Sequence, residues 1–339
     1  MDHRITKKTP LLNELGHLSD PGYAIKPLFE YNRELIKASK WRIKEWDYYA
    51  CINKDFAVSF TVADLGYLGL VNASFLDFKT GKETKNGFMK FFTFGKFKMP
   101  RTCDEGNIIV RNKTCFFEFV VKDKERYLNV DIENFFGKEK FTARLKLIDN
   151  KEDRMVIATP WLENKKAFYY NQKINCMPTS GMVSIGDKSF SFNEEECFSV
   201  LDWGRGVWTY INTWYWSSLS GVVDGKRIGF NLGYGFGDTS KASENMIFYE
   251  GKAHKLDKVE FILDSNDVMK PWKFKSNEGR LELEMTPLLD RVDNTNLLII
   301  KNYGHQVFGK FNGYVVLDDG TKIEIKDVIG FAEEIYNRY

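Results

Sequence analysis

From Trp208 onward the even positions read Trp208, Tyr210, Asn212, Trp214 and Trp216, and the odd ones Val207, Thr209, Ile211, Thr213 and Tyr215. Side chains two apart share one face of a strand, so this pattern predicts a strand with an aromatic face. A turn at Val223-Asp224-Gly225-Lys226 leads into a second strand. Its even face is Ile228, Phe230, Leu232, Tyr234 and Phe236, and its odd face is Gly229, Asn231, Gly233, Gly235 and Gly237. One face is packed and the other is almost bare backbone. Glycine inside a strand weakens it, so this face implies a bend, a bulge or the close approach of another group.

The two-residue period recurs along the chain. Val58, Phe60 and Val62 alternate with Ser59 and Thr61. Phe117, Phe119 and Val121 follow the same rule, as do Leu145 and Leu147, Leu281 to Met285, and Ile323 and Ile325. No period of 3.6 runs between Phe56 and Leu147. Short strands with turn signals such as Lys79-Thr80-Gly81-Lys82 predict an all-β fold of sandwich or barrel type. Two short helices are expected, one within Leu28 to Lys40 and one from Phe331 to Tyr339. Two stretches mix polarity differently. Lys40 to Ile52 sets charge among aromatics on both faces, Trp46 included, which suits a barrel interior or a surface strand with paired charges. Asn171, Lys173 and Asn175 share one strand face, either a solvated edge or the polar wall of a pocket.

The chain has 339 residues, more than one core usually supports, so two domains are expected. We place a polar arm at 1–40, one β domain at 41–198 and a second at 199–339. The net charge of +2 leaves no overall field that would draw the chain to nucleic acid or anionic lipid. No apolar run of about 18 residues exists to span a membrane. Five cysteines form no CxxC pair, and the opening MDHRITKKTPLLNELG holds no apolar core. Free thiols and a cytoplasmic setting are therefore expected. The four His are scattered, so no metal site is expected. GxSxG, Walker A and a strand–helix GxGxxG are missing, and no cofactor is expected.

Carboxylates remain as candidates. Asp202 opens a DWGRG run beside Trp203 and Arg205; Asp238 closes GFGD; Glu244 follows. Burial beside Trp raises a carboxyl pKa and a neighbouring Arg lowers it. A protonated acid of this kind could donate to an alkene or a carbonyl oxygen. Equally, Asp202 and Arg205 could form a structural ion pair, and Asp238 could sit in an Asx turn.

The runs LDWGRGVW, WYWSS, IGFNLGYGFGDTS, SENMIFYEGK, LLNELGHLSDPGYA, YYNQKINCMPTSG and QVFGKFNGYVVLDDG cover nearly the whole chain. In them the sequence resembles the bacterial and fungal family called domain of unknown function 2804. The resemblance implies a lipocalin-like, calycin architecture of two β domains around an apolar pocket. That group includes carotenoid hydratases, tocopherol cyclases and lipocalin-like pericyclases. The hydratases carry an Asp-His-x-Trp-Gly-like segment; here Leu201-Asp202-Trp203-Gly204 stands in its place, without the His, so no catalytic role is carried across.

Besides a structural or partner-binding role in which the Trp face is simply core, two functions compete. One is a cofactor-independent hydratase, cyclase or isomerase acting on a hydrophobic, isoprenoid- or polyketide-like molecule. Asp202 would be its acid, with Glu244 and Asp238 as further candidates. Trp203, Trp208, Trp214, Tyr210 and Trp46 would line the pocket and steady positive charge. Arg205, Lys173, Asn171 or Asn231 would meet a polar end. The other is a non-catalytic carrier, whose interior would be apolar with charges at the rim.

Overall fold

The computed structural model describes residues 2–297 and 300–338. Two curled antiparallel half-barrel sheets pack together, and no α-helix occurs among the described residues.

The first sheet runs in the order 82–91, 68–77, 56–64, 43–52, 198–207, 164–185, 139–148, 125–136, 115–122 and 108–111. The second runs 252–255, 246–249, 226–234, 211–223, 322–338, 300–316, 281–297, 272–276 and 259–262. The strand Phe198–Val207 is therefore central to the first sheet, between Ile43–Ile52 and Asn164–Ile185. The chain passes to the second sheet between Val207 and Ile211, beyond the seam expected near residue 198.

Each sheet encloses its own apolar core. Phe60, Phe117, Phe141 and Trp203 belong to the first, and Phe230, Trp272, Phe274 and Phe311 to the second. A third cluster joins the two sheets. Tyr48, Ala50, Leu76 and Phe78 of the first meet Trp216, Leu289, Phe308 and Phe331 of the second. This seam is why so many strands bury both faces. In Phe198–Val207 every residue is buried, so simple inside–outside alternation is invisible there.

The two expected helices are absent. Within Leu28 to Lys40 the helical structure is a single 3-10 turn at Arg33–Leu35, preceded by the short strand Phe29–Glu30. Phe331 to Arg338 continues the strand Lys322–Arg338, and Tyr339 lies outside the described residues. In that strand Phe331 and Ala332 are both buried, one on each face, and such continuous burial mimics helical patterning. The arm is also less polar than expected. Ile5, Leu11, Leu12, Phe29 and Tyr31 are buried in the first core, and Gly22–Ala24 pairs with Met155–Trp161.

The turn at 223–226 forms as expected, with Asp224 and Gly225 both at positive φ, the two-residue geometry that suits a hairpin. All five cysteines are buried free thiols.

Candidate active site

Three neighbouring strands of the first sheet build one wall. Register pairs Trp46 with Gly204 and Gly204 with Asn171; one step along, Tyr48 pairs with Asp202 and Asp202 with Lys173. Directly paired residues share a face, so Trp46, Tyr48, Asn171, Lys173, Asp202, Gly204 and Gly206 face the second sheet together. Trp203 and Arg205 alternate with them and face the first core.

The glycines of DWGRG now have a reason. A Cβ on Gly204 would lie 1.9 Å from Cζ2 of Trp46, and one on Gly206 would lie 3.1 Å from Nε1 of Trp208. Gly204 leaves room for the Trp46 indole, while Gly206 leaves room first for the Phe168 carbonyl, 2.6 Å from such a Cβ, and then for Trp208. Gly204→Ala is expected to push Trp46 off the wall and cost ~1–3 kcal/mol, the usual range for overpacking. A urea midpoint equal to wild type would show that Trp46 does not rest there.

Asp202 and Arg205 do not pair. Three positions apart on a strand they point to opposite faces. Arg205 donates to Asp47 Oδ1 at 3.1 Å and to the carbonyls of Trp46, Gly204 and Pro100. Its guanidinium lies 3.9 Å from the Trp203 ring. Both are fully buried in the first core, away from the cavity. Asp202 instead accepts from Lys173 Nζ at 2.9 Å and from Asn171 Nδ2 at 2.6 Å. The mixed polarity of Lys40 to Ile52 is interior, for Lys44, Glu45 and Asp47 are all buried.

The second sheet supplies the facing wall. The Lys173 ammonium stands 3.6 Å above the Trp216 ring. Trp216 Nε1 donates to Asn231 Oδ1 at 2.7 Å, and Asn231 Nδ2 donates to the Glu244 carbonyl at 2.9 Å. Two side chains approach the glycine face: a Cβ on Gly229 would meet Cys176 Sγ at 2.5 Å, and one on Gly233 would meet Glu244 Oε2 at 3.0 Å. Tyr169 and Glu244 line the same cavity, and each shifts the titration of the other. Gly235, at φ +100°, breaks the strand parity and turns Phe236 inward. The Phe236 ring stacks 4.4 Å from Tyr169 and lies within 5.0 Å of Trp208 and Trp214.

Between the walls lies a cavity of about 230 Å³. Trp46, Trp208, Trp214, Trp216, Tyr169 and Phe236 give it an aromatic lining, and Lys173, Asp202, Glu244 and Glu333 reach into it. Glu333 accepts from Gln306 Nε2 at 2.5 Å; Gln306 Oε1 in turn accepts from Tyr48 and from Arg291, each at 3.0 Å. Burial pushes the Glu333 carboxyl up to about 7, against the charges of Lys173 and Arg291 and with that of Asp202. Burial also raises Glu244, opposed first by Lys173 and reinforced by Asp202. The Tyr169 hydroxyl is raised well above its usual range, mainly by burial and then by Glu244. Three carboxyls thus share the field of one ammonium.

The profile of the family described as Domain of unknown function (DUF2804) matches residues 2–339. The chain belongs to this family. Its DUF2804 fold is similar to two solved structures. One is an AttH-like protein from Nitrosomonas europaea, with TM-score 0.50 at 13% identity over 91% of this chain and 98% of that one. The other is kievitone hydratase from Nectria haematococca, with TM-score 0.50 at 12% identity over 100% of this chain and 97% of that one. At such identities the likeness is one of fold. No curated protein sequence matches.

Of the site residues expected from sequence in this DUF2804 chain, Trp46, Lys173, Asp202, Trp208, Trp214 and Glu244 line the cavity. Asn171 and Asn231 stand one contact behind, holding Asp202 and Trp216. Trp203 and Arg205 lie on the wrong face. Tyr210 sits outside the strand, 41% exposed, with the Arg42 guanidinium 5.9 Å from its ring. Asp238 forms an Asx turn with Ser240 and is not among the cavity residues. Reading the sequence missed Glu333, Tyr169, Tyr48, Arg291 and Phe236. Glu333 was hidden by the helical reading of FAEEIY; as a strand, that segment puts an acid on a buried face. No metal-binding cluster occurs among the described residues.

Proposed function

We propose that this protein is an acid–base enzyme that moves a proton on a small, largely apolar molecule, by hydration, cyclisation or isomerisation. The observation that carries the reading is the set of three carboxyls around the Lys173 ammonium on the wall of an aromatic cavity. A carrier of apolar ligands has no use for ionisable groups inside; each is costly to bury.

The roles differ from those expected at first. Asp202, held by Lys173 and Asn171, is the fixed charged partner. Glu333, with its pKa near neutrality, is the better proton donor, because an acid works best with a pKa close to the working pH. Its proton adds to an alkene carbon, whose π electrons form the new bond, or to a carbonyl oxygen, whose lone pair does. The resulting cation faces Trp46, Trp208, Trp214 and Trp216, whose π faces stabilise positive charge. Water, a second π bond of the substrate or loss of a neighbouring proton then quenches it, and a proton returns to a carboxylate. The sequence is redox-neutral. The Lys173 ammonium would orient a polar end of the substrate. The likeness in fold to a protein named a hydratase is consistent with this class of chemistry.

Native mass spectrometry of freshly purified protein is expected to reveal a co-purified apolar molecule. Incubating that molecule with the protein in heavy water distinguishes the functions. An enzyme places deuterium on carbon or changes the mass by one water. Return of the molecule unaltered and unlabelled would make the protein a carrier.

A further inference from the structure

We infer that the end of the first sheet beside the cavity is a docking surface for an anionic lipid layer. At that end the 43–52 strand begins, 56–64 ends, 68–77 begins and 82–91 ends. Trp41, Met89, Phe91 and Phe92 are exposed there by 53%, 60%, 67% and 55%. Monomeric proteins seldom present so many large apolar groups together without a partner. Trp41 lies 6.0 Å from Phe92 and 5.1 Å from Phe94, so the rings form one cluster.

The cluster is held outward at a cost. Phe92 and Phe94 have φ of 59° and 46°, a region aromatic residues rarely occupy. Strain of that kind persists only where surroundings impose it, and it concentrates at functional places. Here the buried Asp64 carboxylate imposes it. It accepts from Thr93 Oγ1 at 2.9 Å, from Gly95 N at 2.8 Å and from Gly66 N at 3.0 Å, which fixes the loop that carries both rings.

The charges set among these rings point to the occupant. Lys40, Arg42, Lys90 and Lys96 adjoin them in sequence, and Lys96 Nζ lies 3.3 Å from the Phe92 carbonyl. A second copy of the chain would bring like charges face to face, which costs energy. Exposed Trp and Phe among Lys and Arg instead suit the boundary of a bilayer, where rings enter the acyl region and cations meet anionic headgroups. The attraction is local, because the whole chain carries only +2. The surface also adjoins the cavity. Leu70, a cavity residue, pairs with Met89, and Leu68 pairs with Phe91, so Met89 and Phe91 share the cavity's side of the sheet. An apolar molecule could pass from the lipid to the cavity without crossing water.

The test is sedimentation with vesicles, which needs no knowledge of the substrate. Wild type should pellet with equal parts phosphatidylcholine and phosphatidylglycerol, less with phosphatidylcholine alone, and less in ~0.5 M salt, where screening is strong. Phe91→Asp combined with Phe92→Asp should weaken binding ~10-fold or more. Asp tolerates positive φ better than Phe, so position 92 should remain folded. Phe136→Asp, also on an exposed ring but by Lys82 and Thr84 at the other end of the same strand, should bind as wild type. Lys90→Glu with Lys96→Glu gives an independent reading and should abolish the preference for the anionic lipid. Wild type that stays in the supernatant with mixed vesicles, or a Phe91/Phe92 double variant that binds unchanged, overturns the inference.

Discussion

Glu333→Gln is expected to melt higher than wild type at pH 8 while losing turnover ~10²-fold or more, the two moving in opposite directions. Folding raises the Glu333 carboxyl from its ordinary 4.5 to about 7. A carboxyl raised on folding contributes stability that is fully present below its unfolded value and is lost as pH climbs through its folded value. For Glu333 the window therefore runs from pH ~4.5 to ~7, and wild type should lose stability across it. At about 1.4 kcal/mol per unit, the loss is of the order of 3 kcal/mol once the group is ionised. Gln keeps the shape and can still meet Gln306, but it has no charge to bury. Its advantage should thus appear at pH 8 and vanish near pH 4.5. Thermal melts at both values can be run before any substrate is known. A variant that melts lower than wild type at pH 8 would mean that Lys173 and Arg291 keep Glu333 comfortably ionised, and its role as proton donor would fall.

What could be read in the sequence was periodicity, because a two-residue repeat survives any tertiary context. The aromatic face at Trp214 and Trp216 and the hairpin at Asp224-Gly225 follow from it. So did the glycine face, although what approached Gly233 was the carboxylate of Glu244, eleven positions on. Strand order did not follow. Nothing local says that 198–207 lies between 43–52 and 164–185, and the Lys173–Asp202 pair exists only through that register. The expected Asp202–Arg205 pair failed on parity alone, which could have been applied: a separation of three places two side chains on opposite faces. Buried-on-both-sides strands defeated the rest. The helix expected from Phe331 to Tyr339 rests on such continuous burial, for the seam buries one face of the strand there and the second core the other.

The halves make the site jointly, and this governs how it responds to mutation. The first sheet holds Lys173, Asp202 and Tyr169, while the second holds Trp216 and Glu333, with Glu244 on the segment between its strands Lys226–Tyr234 and Met246–Tyr249. Glu244 itself follows the strand Lys226–Tyr234 and is pinned by Asn231, so its position depends on a strand whose odd face from Gly229 on, Asn231 apart, is glycine. Changes on either sheet should therefore alter both stability and the titration of carboxyls that belong to the other.

Lys173→Met is the sharpest case, with an expected cost of ~3–5 kcal/mol at pH 8, the range for removing one member of a buried pair. Met fills much of the same volume, so packing over Trp216 should survive and the loss should be electrostatic. Lys173 is the leading influence that holds Glu244 and Glu333 down against burial. Without it both carboxyls move further up, so their stabilising protonated form is lost on raising the pH. The gap between variant and wild type should therefore be widest at pH 8 and narrow as the solution is acidified toward pH ~5. Asp202→Asn should also destabilise at pH 8, since it leaves the ammonium without its 2.9 Å partner. The double variant, Lys173→Met with Asp202→Asn, should recover part of what the singles lose, because a neutral pair is cheaper to bury than a lone charge. Denaturant melts of the four proteins at pH 5 and pH 8 measure both the coupling and its pH dependence. Additive losses, or a Lys173→Met penalty independent of pH, would show that the ammonium is a packing element rather than the shared counter-charge of three acids.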